Sequence, residues 1–221
     1  MMTWRHSRTP AVPVCLAACI LAAGAVLAAR QTPGRTDPPG QALFDGKTLT
    51  NWVPTKFGNE GAVKVENGTI VLEAGRPMTG VTWTGPTLPT TNYELAFEAM
   101  RVEGRDFFAA VTFPVAGSYC SLILGGWGGT TVGLSSIGGM DASENETSQS
   151  MEFEMGRWYA VRIRVTPAKI ETWLDAKQII NVDLKDRSID IRIEMERSKP
   201  LGIASYRTKA ALRDIRLRPV Q

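Results

Sequence analysis

Residues 158–165 read WYAVRIRV. Tyr159, Val161, Ile163 and Val165 alternate with Trp158, Ala160, Arg162 and Arg164, a period of two that gives an extended strand one apolar and one wet face. Upstream, 93–102 repeats the pattern, with Tyr93, Leu95, Phe97 and Ala99 against Glu94, Ala96, Glu98 and Met100. Downstream, 170–174 and 179–184 flank Asp175-Ala176-Lys177, placing Ile170, Thr172 and Leu174 opposite Glu171, Trp173 and Asp175. Segments 63–65 and 69–72 enclose Glu66-Asn67-Gly68, and Asn-Gly between alternating strands is a strong hairpin signal. Further short strands are expected at 107–113, 119–124, 130–134, 201–206 and 212–217. No apolar helical repeat exceeds two turns. About a dozen strands without long helices predict an all-β chain, a two-sheet antiparallel sandwich or jelly roll. Its edges are expected to be guarded by Lys199-Pro200 and by Arg216 to Pro219.

The 221 residues suffice for one sizeable core. Residues 1–29 have a basic start at Arg5 and Arg8 and then an apolar run, the pattern of an export signal. Within it Leu16-Ala17-Ala18-Cys19 matches a bacterial lipoprotein box, so cleavage and lipid anchoring at Cys19 are alternative fates. Residues 30–40, with Pro33, Pro38 and Pro39, form a polar, proline-rich tether, and 41–221 form the domain. The expected location is exported: periplasmic, cell-envelope or extracellular, with a membrane tether through the N-terminus as one form.

Loss of the signal removes Cys15, Cys19 and the single His, His6, leaving Cys120 alone. A domain with no His excludes a Ser-His-Asp triad and the usual zinc sites, and a lone Cys excludes an internal disulfide. Without Arg5 and Arg8 the formal charge of +3 falls to +1, which supplies no field for nucleic acid.

The chemistry-bearing stretch is 122–147, LILGGWGGTTVGLSSIGGMDASENET. Trp127 stands between two glycine pairs, where its ring serves either as a flat platform for the C–H face of a sugar or as a plug folded back over the barrel mouth. Asp141, Glu144 and Glu146 are either oxygen ligands for calcium or a solvated acidic turn. Glu98, Asp106, Arg162 and Arg164 lie on outward parity or between strands. They either converge in a groove on the concave face, where a carboxylate takes a proton and an arginine steadies an enolate, or form a cross-strand ion-pair ladder. Trp158 and Trp173 share the outward parity and either extend the platform or cap the core. The substrate-binding candidates are therefore Glu98, Asp106, Trp127, Asp141, Glu144 and Arg162, with no catalytic residue assigned. Lys47 and Ser135-Ser136 lack any activating neighbour.

LFDGKTLTNW at 43–52, VKVENGTIVLEAG at 63–75, NYELAFEAM at 92–100 and ALRDIRLRPV at 211–220 resemble the 3-keto-disaccharide hydrolase family, also described as 3-keto-glucoside lyase and 3-keto-2-hydroxy-glucal hydratase domains. The resemblance implies a concanavalin-A-like jelly roll, usually in exported bacterial proteins, with a sugar-sized groove. It also implies cleavage of a glycosidic bond next to an oxidised C3. The ketone acidifies the C2 hydrogen, a modest base starts elimination of the glycosidic oxygen, and water adds to the enone. The chain departs from the family pattern in the middle strands, where an Asn-Ser-Gly segment followed by Arg and a Glu-x-Gln-x-x-Asp segment are absent. Three readings follow: a keto-glycoside lyase and hydrolase, a carbohydrate-binding module of the same fold, and a structural envelope module whose groove is filled by side chains.

Overall fold

The computed structural model describes Met1, Met2 and residues 40–221. The export signal and nearly all of the tether lie outside the described residues, as do His6, Cys15 and Cys19. Fifteen strands are found among the described residues: β1 (Gln41–Ala42), β2 (Trp52–Pro54), β3 (Val63–Glu66), β4 (Thr69–Leu72), β5 (Met78–Trp83), β6 (Tyr93–Glu103), β7 (Ala109–Val115), β8 (Ser118–Gly126), β9 (Thr131–Ser135), β10 (Gln149–Ser150), β11 (Trp158–Val165), β12 (Lys169–Leu174), β13 (Lys177–Asp183), β14 (Gly202–Tyr206) and β15 (Lys209–Pro219). One 3-10 helix, Ile193–Ser198, lies between β13 and β14.

The strands form two antiparallel sheets. The first runs β13-β12-β11-β6-β15-β4-β3, with β1 also on β15, and the second runs β10-β9-β8-β7-β14-β5-β2. The alternation in β11 and β6 is realised in register, Arg162 opposite Ala96 and Arg164 opposite Glu94. Their apolar sets, including Tyr93, Leu95, Phe97, Ile163 and Val165, are buried between the sheets. From the second sheet Val111, Phe113, Leu122, Leu124, Leu134 and Ile203 meet them in the same core. Each such side chain contributes about 1.5–3 kcal/mol by leaving water. The opening motif is anchored in the core. Leu43, Phe44 and Trp52 are buried, Trp52 stacks edge-on against Trp83 at 5.3 Å, and its Nε1–H donates to the Leu43 carbonyl at 2.8 Å.

One expectation needs correction, and one strand went unread. Arg216 and Leu217 pair with β6 on one side and with β1 on the other, so they guard no edge, and only Arg218 and Pro219 extend past the β1 pairing. The edge strands are β3 and β13 in the first sheet and β10 and β2 in the second, and Lys64, Lys177 and Asp183 supply charge on the first pair. β5 escapes sequence reading because every one of its residues is buried, which erases the alternation.

That burial has a local cause. The outward face of the second sheet is not bare. It carries a separate apolar cluster of Met78, Ala110, Ile123, Ala142, Ile191, Met195 and Ala204. Two covering segments, around Ala142 and around the 3-10 helix, press onto it. A Cβ on Gly202 would stand 2.6 Å from the Ser198 carbonyl oxygen, so only a residue without one admits this cover. Hydroxyls bond beneath it: Thr112 to Ser121 at 2.9 Å, and Thr82 Oγ1 to the Arg197 carbonyl at 2.9 Å.

Candidate functional site

At one end of this cover the second sheet stays open. A cavity of about 470 Å³ is lined by Pro77, Met78, Asp106, Phe107, Ile123, Trp127, Arg192, Glu194, Met195 and Tyr206. Its floor is apolar and its rim is charged, the usual constitution of a small-ligand pocket. Phe107 and Tyr206 sit ring to ring at 5.5 Å. Trp127 is 48% exposed, and its backbone adopts φ 47° in the turn between β8 and β9. The ring is therefore not folded into the main core.

The turn is held from below by Arg101, at the inward-facing end of β6. This guanidinium is buried and donates to the carbonyls of Gly129 at 2.9 Å, Asp106 at 3.2 Å, Gly125 at 3.4 Å and Phe153 at 3.5 Å. It also faces the rings of Phe108 and Phe153. Burial pushes it below the ordinary arginine value, with the Asp106 carboxylate opposing. The glycines beside Trp127 serve this clamp. A Cβ on Gly125 would lie 2.3 Å from Arg101 Nη2, and Gly125 and Gly129 have φ of +77° and +122°. Asp106 joins the two loops, since its Oδ1 accepts from Phe107 N–H at 2.8 Å and its Oδ2 from Gly128 N–H at 3.2 Å.

On the opposite wall Arg192 is paired with Glu194 at 3.1 Å and with Asp141. The Glu194 hydrogen bond raises Arg192 above its ordinary value, and Arg192 in turn holds Glu194 below the usual carboxylate range. Asp141 does not line the cavity. It stands behind Arg192 and accepts from Ser135 Oγ at 3.3 Å.

Of the six candidates, then, Asp106 and Trp127 meet in the cavity and Asp141 supports its wall. Glu144 is exposed and does not line it. Glu98 and Arg162 are a correction, because they lie on the outward face of the other sheet. There Glu94, almost fully buried, receives Arg162 at 3.3 Å, Arg164 at 3.1 Å and Arg218 at 2.7 Å, while Glu98 receives Arg213 at 2.5 Å. The charges form the ladder and do not share a groove with Trp127. Trp158 and Trp173 neither extend a platform nor cap the core, since Arg213 covers the first ring and Arg162 the second, each at 4.0 Å.

The acidic turn holds two of its carboxylates in ion pairs. Asp141 is engaged by Arg192 and Glu146 by Arg187, and among the described residues no three His, Cys, Asp or Glu side chains come together. Cys120 is buried in the core, and burial pushes its thiol up to about 12, so it supplies no nucleophile.

Arg101, Arg192 and Glu194 were not singled out from sequence. Arg101 had a signal, a charge on the core parity of the β6 alternation. Arg192 and Glu194 had a weaker one, a connection between β13 and β14 longer than ordinary hairpins need.

A family model described as a 3-keto-alpha-glucoside-1,2-lyase-like domain matches residues 39–218. The chain belongs to this family. The family domain is thus a carbohydrate-related jelly roll. No curated protein sequence matches it. Among solved structures, a candidate glycosyl hydrolase from Parabacteroides distasonis aligns with TM-score 0.51 and 12% identity over 81% of this chain and 93% of that one. A structure from work on endo-acting O-glycanases of the human gut microbiota aligns with TM-score 0.53 and 12% identity over 82% and 100%. A sialidase aligns with TM-score 0.53 and 11% identity over 81% of this chain but 18% of its own. At such identities the likeness concerns the fold alone.

Proposed function

We propose that the cavity on the second sheet binds the sugar ring of a 3-keto-glycoside and that the domain, in an exported protein, cleaves it by elimination followed by hydration. The observation that carries this reading is the exposed Trp127 at the rim of a cavity that also holds Asp106, Glu194 and Arg192. The ring offers a face for sugar C–H groups. Asp106 takes the proton from C2, and Arg192 stands against the negative charge that gathers on the C3 oxygen. The C1–oxygen bond breaks as the enone forms, the leaving oxygen gains a proton, and water then adds across the double bond.

Incubation with several aryl 3-keto-glucosides tests this, with aglycone release expected from the wild-type domain. Asp106→Asn and Arg192→Gln should each lower it by tenfold or more, in the range ascribed to one positioned proton-transfer or charge-stabilising group, ~10²-fold. Release unchanged in both variants would take the chemistry away from this cavity.

A second reading, a module that binds glycosides without cutting them, draws support from Asp106 itself. Both of its oxygens already accept backbone N–H groups, the bonding of a strap between loops. Saturable binding of the same glucosides with no product would select it.

A further inference from the structure

Beside the first cavity lies a second, more open depression of about 730 Å³, lined by Ala74, Gly75, Arg76, Pro77, Tyr206 and Arg207. Pro77 and Tyr206 line both, so the two adjoin across these side chains. Their electrostatics differ. In the first, Arg192 is paired with Asp141 and Glu194. In the second, Arg76 and Arg207 are both exposed, and neither has an ion-pair partner among the described residues.

These two arginines are rooted by backbone bonds. Arg207 N–H donates to the Pro77 carbonyl at 2.8 Å, tying the turn after β14 to the loop before β5, and Arg76 N–H donates to the Asn59 carbonyl at 2.8 Å. The Arg207 guanidinium also lies 5.3 Å from the centre of the Tyr206 ring. An aromatic wall shared with the sugar cavity therefore ends in two cationic forks, which suit the planar, two-oxygen geometry of a carboxylate.

We propose that this depression is a subsite for an anionic unit attached to the sugar, a carboxylate-bearing aglycone or neighbouring acidic sugar. The inference rests on the carbohydrate reading of the first cavity. The sugar ring stands over Trp127, the attached unit passes along Tyr206, and its carboxylate meets Arg76 and Arg207.

Calorimetric titration with phenyl glucoside, 4-carboxyphenyl glucoside and benzoate, both anomers of each glucoside being used, tests it. The expected result is that both glucosides bind and the carboxylated one binds roughly five- to tenfold tighter, as one or two exposed charge pairs allow. That preference should vanish in the double variant Arg76→Gln/Arg207→Gln, with phenyl glucoside affinity unchanged, and should shrink at about 1 M salt. Equal affinities for the two glucosides in the wild-type protein overturn the subsite and leave the sugar cavity standing. Benzoate binding as tightly as 4-carboxyphenyl glucoside also overturns it, by reducing the site to a trap for free anions. Binding of neither glucoside also overturns the subsite, while the 3-keto-glycoside reading of the first cavity is then judged on aglycone release alone.

Discussion

The outward faces of the two sheets solve the same problem in opposite ways. On the first sheet the outward positions of β6, β11 and β15 carry long charged chains, and Glu94 is enclosed by Arg162, Arg164 and Arg218. Guanidiniums lie over Trp158 and Trp173, so even the aromatic surface there is occupied. On the second sheet many outward positions are small or hydroxylated, including Ala110, Thr112, Ser121, Ala204 and Gly202, the rest are apolar, as Met78 and Ile123 are, and later chain segments fold over them. A face whose side chains satisfy one another closes itself. A face of small residues must be covered from elsewhere, and the cavity is the part left uncovered. Rich outward chemistry in a strand thus marks a stabilising surface in this domain, while the ligand site lies where outward chemistry is poor.

The sharpest break in this contrast is at Glu94. Glu94→Gln removes the charge that holds three guanidiniums together on a nearly buried carboxylate. Breaking a buried pair of this kind costs up to 3–5 kcal/mol, but each arginine is about one-third exposed, which moderates the loss to about 3 kcal/mol. Urea denaturation of wild type and variant reads the change. Affinity for phenyl glucoside should stay the same in the folded variant, and a fall in affinity without loss of stability would overturn the division of labour between the faces.

A smaller effect is expected at Arg101, which sharpens the contrast because it belongs to the first sheet yet serves the second. Arg101→Met leaves the Gly129 and Asp106 carbonyls without their buried donor, a loss of about 2 kcal/mol. Unlike Glu94→Gln it should also weaken phenyl glucoside binding, since the turn carrying Trp127 loses its anchor. A stability loss with binding intact would mean that the turn keeps its shape without the clamp.

The alternation in β6 and β11 made the two-sheet architecture legible, because a period of two in Tyr93, Leu95, Phe97 and in Tyr159, Val161, Ile163 has no helical interpretation. It also assigned Glu98 and Arg162 correctly to an outward face. What it could not carry was which outward face. Parity is a property of one strand, whereas the cavity depends on which sheet the strand joins and on what later segments cover. β5 shows the limit from the other side, since cover over both faces leaves no alternation to read. Trp127 was visible because a ring between glycine pairs stands out locally, and Asp106 because it is a charge placed between strands. Arg192 and Glu194 reach the site from a connection whose placement is decided only when Met195 and Ile191 pack on the sheet.

The smallest expected effect on stability is at Trp127. Its ring is about half exposed, and the turn is held by Arg101 and by the Asp106 carboxylate, neither of which bonds the indole. Trp127→Ala should therefore shift unfolding by no more than about 0.5 kcal/mol. Phenyl glucoside affinity should nevertheless fall by roughly tenfold, as expected when an aromatic anchor leaves a binding site. Paired with Glu94→Gln this makes a reciprocal test of the two faces: one variant loses stability and keeps binding, the other keeps stability and loses binding. Unchanged affinity in Trp127→Ala would mean that a ligand passes the indole by and is held by the Phe107–Tyr206 wall alone.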